Sequence, residues 1–252
     1  MSHTDMNSKA IFFDVDDTLY DHLTPFRQAV WNWVGEQDKF PFEEGYQRLR
    51  YHSDMLSLKM GGAGTMGTGE QVEWMRRERF KLTLAEFGIP LTDEEAGLVQ
   101  SAYLDCQFRI EMFPGARELL TRLQEEGHVV GLITNGAGEH QRKKIEAMDL
   151  HRLLPEERLF ISGEAGWDKP DPRLFQLVNE KTGTSPEDSL YIGDSWRNDV
   201  VGALGAGWSV VWFNPRGAAA ESEHQPHHVV RGYDELSRLL MPPVPMREQG
   251  RS

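Results

Sequence analysis

Short apolar runs ending in polar or small residues recur along the chain: KAIFFD (9–14), HVVGLIT (128–134), RLFIS (158–162), SLYIG (189–193) and SVVWF (209–213). They read as buried strands. Between the later runs lie helical patterns with clear start and stop signals. One example is Asp171 as N-cap, with Pro172 at the first helical position and Gly183 just past the end. Strand and helix therefore alternate, as in a parallel sheet covered on both faces.

The alternation breaks once. From about residue 21 to 110 the pattern gives several helices and no convincing strand. Thr24 and Pro25 open the first of these helices, and Thr92 with Glu95 forms a capping-box pattern before AGLVQSAYLDCQF. The alternation resumes at FPGARELLTRLQEEG, where Ala116, Leu119, Leu120 and Leu123 share one helical face. The expected fold class is α/β: a Rossmann-like parallel sheet with helices on both faces, formed by residues 9–20 and 111–240. A helical domain, residues 21–110, is inserted after the first strand. Residues 1–8 and 241–252, the latter proline-bearing, are expected to be loose tails.

Composition narrows the possibilities. A chain of 252 residues with 39% hydrophobic and 27% charged positions is globular and long enough for a main domain with an insertion. Its formal net charge of −13 argues against nucleic-acid binding, which needs Lys and Arg clusters, so a phosphate ligand must be held locally. The single cysteine, Cys106, excludes an intramolecular disulfide and a cysteine-based zinc site, and its place in a helical apolar pattern suggests a buried thiol. The polar N-terminus has no signal-peptide core and no run is long enough to span a membrane, so a cytoplasmic location and no membrane partner are the default expectations.

In an open parallel sheet, ligands bind outside the carboxyl ends of the strands. The first run ends in Asp14, Asp16, Asp17 and Thr18, the second in Thr134 and Asn135, and the fourth in Asp194 and Ser195, with Asp199 a turn further on. Lys169 follows the third run, within WDKPDP. Carboxylates crowded within about 4 Å repel by several kcal/mol, and a hard divalent cation relieves that repulsion. Mg²⁺ favours one or two carboxylates with water and substrate phosphate, which makes Asp14 and Asp194 candidate side-chain ligands.

The remaining groups then suit phosphoryl transfer. Thr134 offers a hydroxyl, and the Asn135–Gly136 segment offers backbone N–H groups to phosphate oxygens. Lys169 supplies a mobile positive charge. Asp14 is placed to attack phosphorus, and Asp16, two residues on, to protonate the leaving oxygen and later activate water.

The segments FFDVDDTLY, LITNG, DKPDPRLF and YIGDSWRNDV, in this order, resemble the four motifs of the haloacid dehalogenase superfamily of phosphohydrolases. The resemblance covers residues 9 to 215. It implies an aspartyl-phosphate intermediate on Asp14 and acid/base work by Asp16. It also implies Mg²⁺ held by Asp14, Asp194 and the backbone carbonyl of Asp16, with support from Asp199. The helical insert resembles that family's substrate-selecting cap. Asp17 stands where many relatives carry glycine and receives no catalytic role. The dehalogenases of the superfamily lack an acid/base residue at the position of Asp16, so its presence favours a phosphatase or phosphomutase over carbon–halogen hydrolysis. The run FFDVDDTLYDHLTPFRQAV resembles the branch of nucleotidases and sugar-phosphate phosphatases, which implies a phosphatase acting on a small phosphorylated metabolite of the nucleotide or sugar-phosphate class. A phosphomutase of the same fold is the alternative. A receiver-like signalling module is a third possibility, disfavoured because receivers place the acidic pair early and the phospho-acceptor later.

Other features carry blander readings. Gly62, Gly64 and Gly67 form a literal GxGxxG, but after a helical run, so a flexible loop is expected there instead of a dinucleotide site. Trp31, Trp33 and Trp74 fall at positions whose default reading is helix core. His224, His227 and His228 match no common zinc spacing and are expected to lie in a solvated loop.

Overall fold

The computed structural model describes residues 10–61 and 69–241, so the GxGxxG glycines and almost all of both expected tails lie outside the described residues. Six strands form one parallel sheet: β1 (Ala10–Phe13), β2 (Val129–Thr134), β3 (Leu159–Ile161), β4 (Ser189–Gly193), β5 (Ser209–Phe213) and β6 (His228–Val230). Their order is β3-β2-β1-β4-β5-β6, with all neighbouring pairs parallel. The α/β class expected from the sequence is present.

The first strand shows why the runs are continuous. Ile11 and Phe13 point into one core with Val130, Leu132, Leu190 and Ile192. Ala10 and Phe12 point into another with Ile133, Tyr191 and Val210. A period of two with both faces buried leaves no polar position.

The helices are α1 (Leu23–Val30), α2 (Phe42–Lys59), α3 (Glu70–Glu86), α4 (Asp93–Cys106), α5 (Ala116–Glu125), α6 (Gly138–Ala147), α7 (Ser162–Ala165), α8 (Pro172–Thr182), α9 (Gly202–Gly205) and α10 (Tyr233–Leu240). A π-helical segment, Trp196–Val201, precedes α9. Leu119, Leu120 and Leu123 of α5 and Leu236 of α10 cover one face of the sheet, while Leu174, Phe175 and Val178 of α8 cover the other. Each such side chain contributes about 1.5–3 kcal/mol when fully buried. Asp171 caps α8 as expected, accepting from the Arg173 N–H. Thr92 and Glu95 form the expected capping box of α4, a device whose loss typically costs about 1 kcal/mol.

Helices α1 to α4 build a separate core from Phe26, Val30, Tyr46, Leu49, Phe80, Leu84, Val99 and Tyr103. Among the described residues no strand lies between Phe13 and Val129. No described helix is long and apolar enough to cross a membrane.

Several local expectations are corrected. Helix α1 begins at Leu23 instead of Thr24, because Asp21 accepts from the Leu23 N–H and the Thr24 hydroxyl. Trp31 and Trp74 are 43% and 47% exposed. Trp31 lies just past the end of α1, where it stacks on Phe42. Cys106 is half-buried at the end of α4. The histidine-bearing loop ends in a sixth strand: His228 begins β6, and His227 bonds to both backbone groups of Val210.

Candidate active site

The strand order reverses at β1, and the crevice beyond its carboxyl end is where the expected residues meet. The Asp14 N–H donates to the Ile192 carbonyl at 2.9 Å, which extends the β1–β4 ladder to the residue carrying the carboxylate. Thr134 ends β2 and Asp194 follows β4, whose neighbour Trp212 donates its indole N–H to the Asp194 carbonyl at 2.8 Å.

Lys169 is buried and fully engaged. Its Nζ donates to Asp14 Oδ1, Asp199 Oδ1 and the Tyr191 hydroxyl, each at 2.7 Å. Asn135 holds its backbone from both sides: Asn135 Nδ2 donates to the Lys169 carbonyl at 2.9 Å and Asn135 Oδ1 accepts from the Lys169 N–H at 2.8 Å. The expected mobile charge is therefore a fixed one. Burial opposes ionisation of this ammonium, but Asp14 and Asp199 outweigh it and hold its pKa above the ordinary lysine range.

The other oxygen of Asp199 accepts from the Ser195 N–H at 2.8 Å. This close approach requires glycine at 193, since a Cβ there would lie 2.4 Å from Asp199 Oδ2. The Gly136 amide, expected to face phosphate, donates to the Ser162 hydroxyl instead at 3.0 Å. The Thr134 hydroxyl belongs to a residue that lines the cavity described below.

Asp16 meets helix α6, whose buried positions include Gln141 and Lys144. Lys144 Nζ donates to both Asp16 oxygens at 2.8 Å, Gln141 Nε2 to one at 3.3 Å, and the Tyr20 hydroxyl to the other. Burial works against the Asp16 carboxylate, but Lys144, His22 and the Tyr20 hydrogen bond more than offset it, holding its pKa well below the usual carboxylate range.

Asp17 joins three parts of the chain. It is fully buried with φ +61°, the left-handed region where glycine is favoured. One carboxylate oxygen accepts from the His22 N–H at 3.2 Å and pairs with Arg216 at 2.9 Å; the other accepts from the Tyr46 hydroxyl and from Arg50 at 3.0 Å. Arg50, on α2, also donates to Asp194 Oδ2.

The acidic cluster fits a hard cation. One carboxylate oxygen each from Asp14, Asp194 and Asp199 can be grouped within 4.8 Å of one another. Asp194 Oδ1 is buried and has no hydrogen-bond partner among the described residues. Burial pushes the Asp14 pKa up to about 7, with Lys169 opposing and the Asp199 and Asp16 carboxylates adding to it. Burial likewise raises Asp194 well above its usual range, against Arg50. Both shifts record charge that the protein alone does not balance, and an all-oxygen donor set of this kind suits Mg²⁺.

These groups open into a cavity of about 400 Å³. Asp14, Asp16, Thr134 and Lys169 line it from the sheet, while Arg50, Arg76, Arg79 and Tyr103 line it from α2, α3 and α4. The expected residues Asp14, Asp16, Thr134, Asn135, Lys169, Asp194 and Asp199 thus come together. Tyr191, Gln141, Lys144 and Arg50 join them without having been singled out in the sequence. Only Asp17 carried a signal, the departure from glycine, which marks its positive φ.

The haloacid dehalogenase-like hydrolase family matches residues 8–207. A glyceraldehyde 3-phosphate phosphatase of Methanothermobacter thermautotrophicus is 30% identical over 225 residues, covering 86% of this chain and 90% of that one. Human N-acylneuraminate-9-phosphatase is 26% identical over 240 residues, covering 92% and 93%. Among solved structures, a HAD-hydrolase of Bacillus subtilis, YfnB, bound to magnesium, shares the fold with a TM-score of 0.68 and 24% identity, over 93% of this chain and 99% of that one. A family match across four-fifths of the sequence, on a six-stranded parallel sheet, places the chain in the haloacid dehalogenase-like hydrolase family.

Proposed function

We propose that this protein is a Mg²⁺-dependent phosphatase that forms a phosphoaspartate on Asp14 while hydrolysing a small phosphorylated metabolite. That it is a phosphatase follows from its relatives, which act on small phosphate monoesters and align over most of the chain. One observation carries the finer reading: the Asp14 carboxylate is tied to Lys169 at 2.7 Å inside a cluster of three carboxylates within 4.8 Å, at the floor of a cavity.

An Asp14 oxygen attacks phosphorus in line with the leaving ester oxygen, which takes a proton from Asp16. Asp16 is ionised as it stands; the charge of an arriving phosphoester raises its proton affinity, and it takes up a proton from solvent as the substrate binds, before the first step. Water then attacks the acyl phosphate and gives its proton to Asp16, releasing inorganic phosphate and restoring Asp14. Thr134 donates its hydroxyl to a phosphate oxygen, and Lys169, whose three N–H donors are taken, supplies fixed positive charge beside it. Asn135 and Asp199 act through Lys169, by fixing its backbone and its ammonium.

Asp14, Asp194 and the Asp16 backbone carbonyl would hold Mg²⁺, with Asp199 supporting from behind because both its oxygens already accept hydrogen bonds. The ion would supply positive charge to the phosphoryl oxygens as negative charge redistributes. Residues 21–110, with helices α1 to α4, serve as the cap that encloses the cavity and selects the substrate.

Phosphate release from a panel of phosphorylated metabolites tests this reading. Turnover should require Mg²⁺, vanish with a chelator and return on adding the metal back. Full turnover in the chelator contradicts it.

A further inference from the structure

The cations around the cavity are paired with carboxylates, with one exception. Arg50 pairs with Asp17 and Asp194, Arg76 with Glu73, Lys144 with Asp16, and Lys169 with Asp14 and Asp199. Arg79 of α3 forms no ion pair within 4.0 Å among the described residues. The polar groups it meets are all neutral: Gln100 Oε1 at 2.9 Å, the Arg76 carbonyl at 3.3 Å and the Ser53 hydroxyl at 3.5 Å. Its flat guanidinium also lies 5.2 Å from the ring centroids of both Phe80 and Tyr103.

This isolation is not a shortage of acids. The chain has 40 Asp and Glu against 27 Lys and Arg, and residues 62–68, the part of the insert outside the described residues, contain neither Asp nor Glu. Burial lowers the pKa of Arg79 from its ordinary value, yet an arginine stays charged at neutral pH. Arg79 is half-buried, and a cation partly withdrawn from water without a counter-charge is less favourable than one that a partner anion balances. Arg79, Ser53 and Gln100 all line the cavity that holds Asp14. The Ser53 contact is at the outer limit of a hydrogen bond, which leaves that arm of the fork able to bind a ligand.

We propose that Arg79, held by Gln100 and Ser53, binds a second anionic group of the substrate. The preferred substrates are then phosphate monoesters that also carry a carboxylate or a second phosphoryl group. This rests on the phosphatase reading above: the ester phosphate meets Asp14 at the floor of the cavity, and the second anion meets Arg79 on its helical wall. Arg79 discriminates between substrates and takes no part in bond breaking.

The test uses Mg²⁺-loaded full-length protein and matched pairs of esters: 3-phosphoglycerate against glycerol 3-phosphate, O-phosphoserine against O-phosphoethanolamine, and fructose 1,6-bisphosphate against fructose 6-phosphate. The first two pairs probe a carboxylate and the third a second phosphate. The protein should favour the anionic member of at least one pair by about 10–100-fold in kcat/KM, the range expected for a charge-assisted fork. In Arg79→Met that ratio should collapse towards one, mainly through KM, and in Arg79→Lys it should be partly retained. Hydrolysis of p-nitrophenyl phosphate separates the two ways of failing. If the protein hydrolyses it but shows no preference in any pair, the anion site is overturned and the phosphatase stands; if it does not, both fall. A preference that survives unchanged in Arg79→Met, or in Arg79→Gln should the methionine variant not fold, also overturns the assignment.

Discussion

Replacing Asp17 with Asn should destabilise the protein by more than any ordinary surface change. The substitution preserves shape, and asparagine tolerates the φ of +61° found there, so backbone strain does not confuse the result. What is lost is the charge facing Arg50 at 3.0 Å and Arg216 at 2.9 Å, in a side chain fully withdrawn from solvent. Removing one partner of a buried pair costs about 3–5 kcal/mol. Here Arg50 keeps Asp194 and Arg216 keeps Asp21 at 2.6 Å, and both arginines are partly hydrated. The expected loss is therefore about 2–4 kcal/mol, below the full penalty. Urea unfolding of the protein, Asp17→Asn, Arg50→Met and the double variant gives both the loss and the coupling between α2 and the first strand's turn. A coupling energy above about 1 kcal/mol is expected for groups in direct contact. A loss under about 1 kcal/mol for Asp17→Asn, or additivity of the two variants, would refute the view that Asp17 ties the helical insert to the sheet.

Two further perturbations test the supports of the site. In Gly193→Ala the new methyl would sit 2.4 Å from Asp199 Oδ2, so Asp199 must move and loosen Lys169; a stability loss of about 1–3 kcal/mol and a fall in turnover of about 10²-fold are expected, and thermal melts with steady-state kinetics check both. His22 is held neutral: burial and Lys144 pull its pKa from 6.5 to about 4, against the attraction of Asp16. The unfolded chain therefore binds a proton here that the folded one refuses, so this contribution is complete above pH 6.5 and is lost as pH falls towards 4, by at most about 3 kcal/mol. Unfolding free energies measured in chelator should fall less steeply over that window in His22→Asn than in the parent, and parallel curves would remove His22 as the cause.

Five of the six strands were legible because the two sheet faces are both covered, which forces unbroken apolar runs such as AIFF and SVVWF. Strand β6 was not. It is three residues long, it lies at the sheet edge, and its central Val229 is 52% exposed, so the signal of two-sided burial is missing. The residues proposed to carry phosphoryl transfer were legible because Asp14, Asp16, Thr134 and Asp194 sit at or just beyond strand ends and Lys169 and Asp199 sit in dense motifs further on. Their supports were not, because they come from other elements. Gln141 and Lys144 present a polar buried face of α6 that looks solvated in the sequence, and Tyr191 reads as one more apolar strand position until its hydroxyl is seen between Lys169 and the Ile133 carbonyl. Trp31 and Trp74 misled in the opposite sense, being large and apolar at helical positions yet exposed.

The central claim is that Asp14 carries the phosphoryl group and Asp16 the proton, and trapping the intermediate tests it most directly. Each variant, Asp16→Asn and Asp14→Asn, is mixed with Mg²⁺ and an ester whose leaving group needs no protonation, quenched in acid within milliseconds and mapped by mass spectrometry. Asp16→Asn keeps the nucleophile but slows breakdown of the acyl phosphate, because general acid–base catalysis of this kind contributes about 10²–10⁴-fold. A stoichiometric phosphoryl group on Asp14 is therefore expected in Asp16→Asn, and none in Asp14→Asn, whose turnover should fall to background. A phosphoryl group on any other residue, or near-normal turnover by Asp14→Asn, would contradict the account.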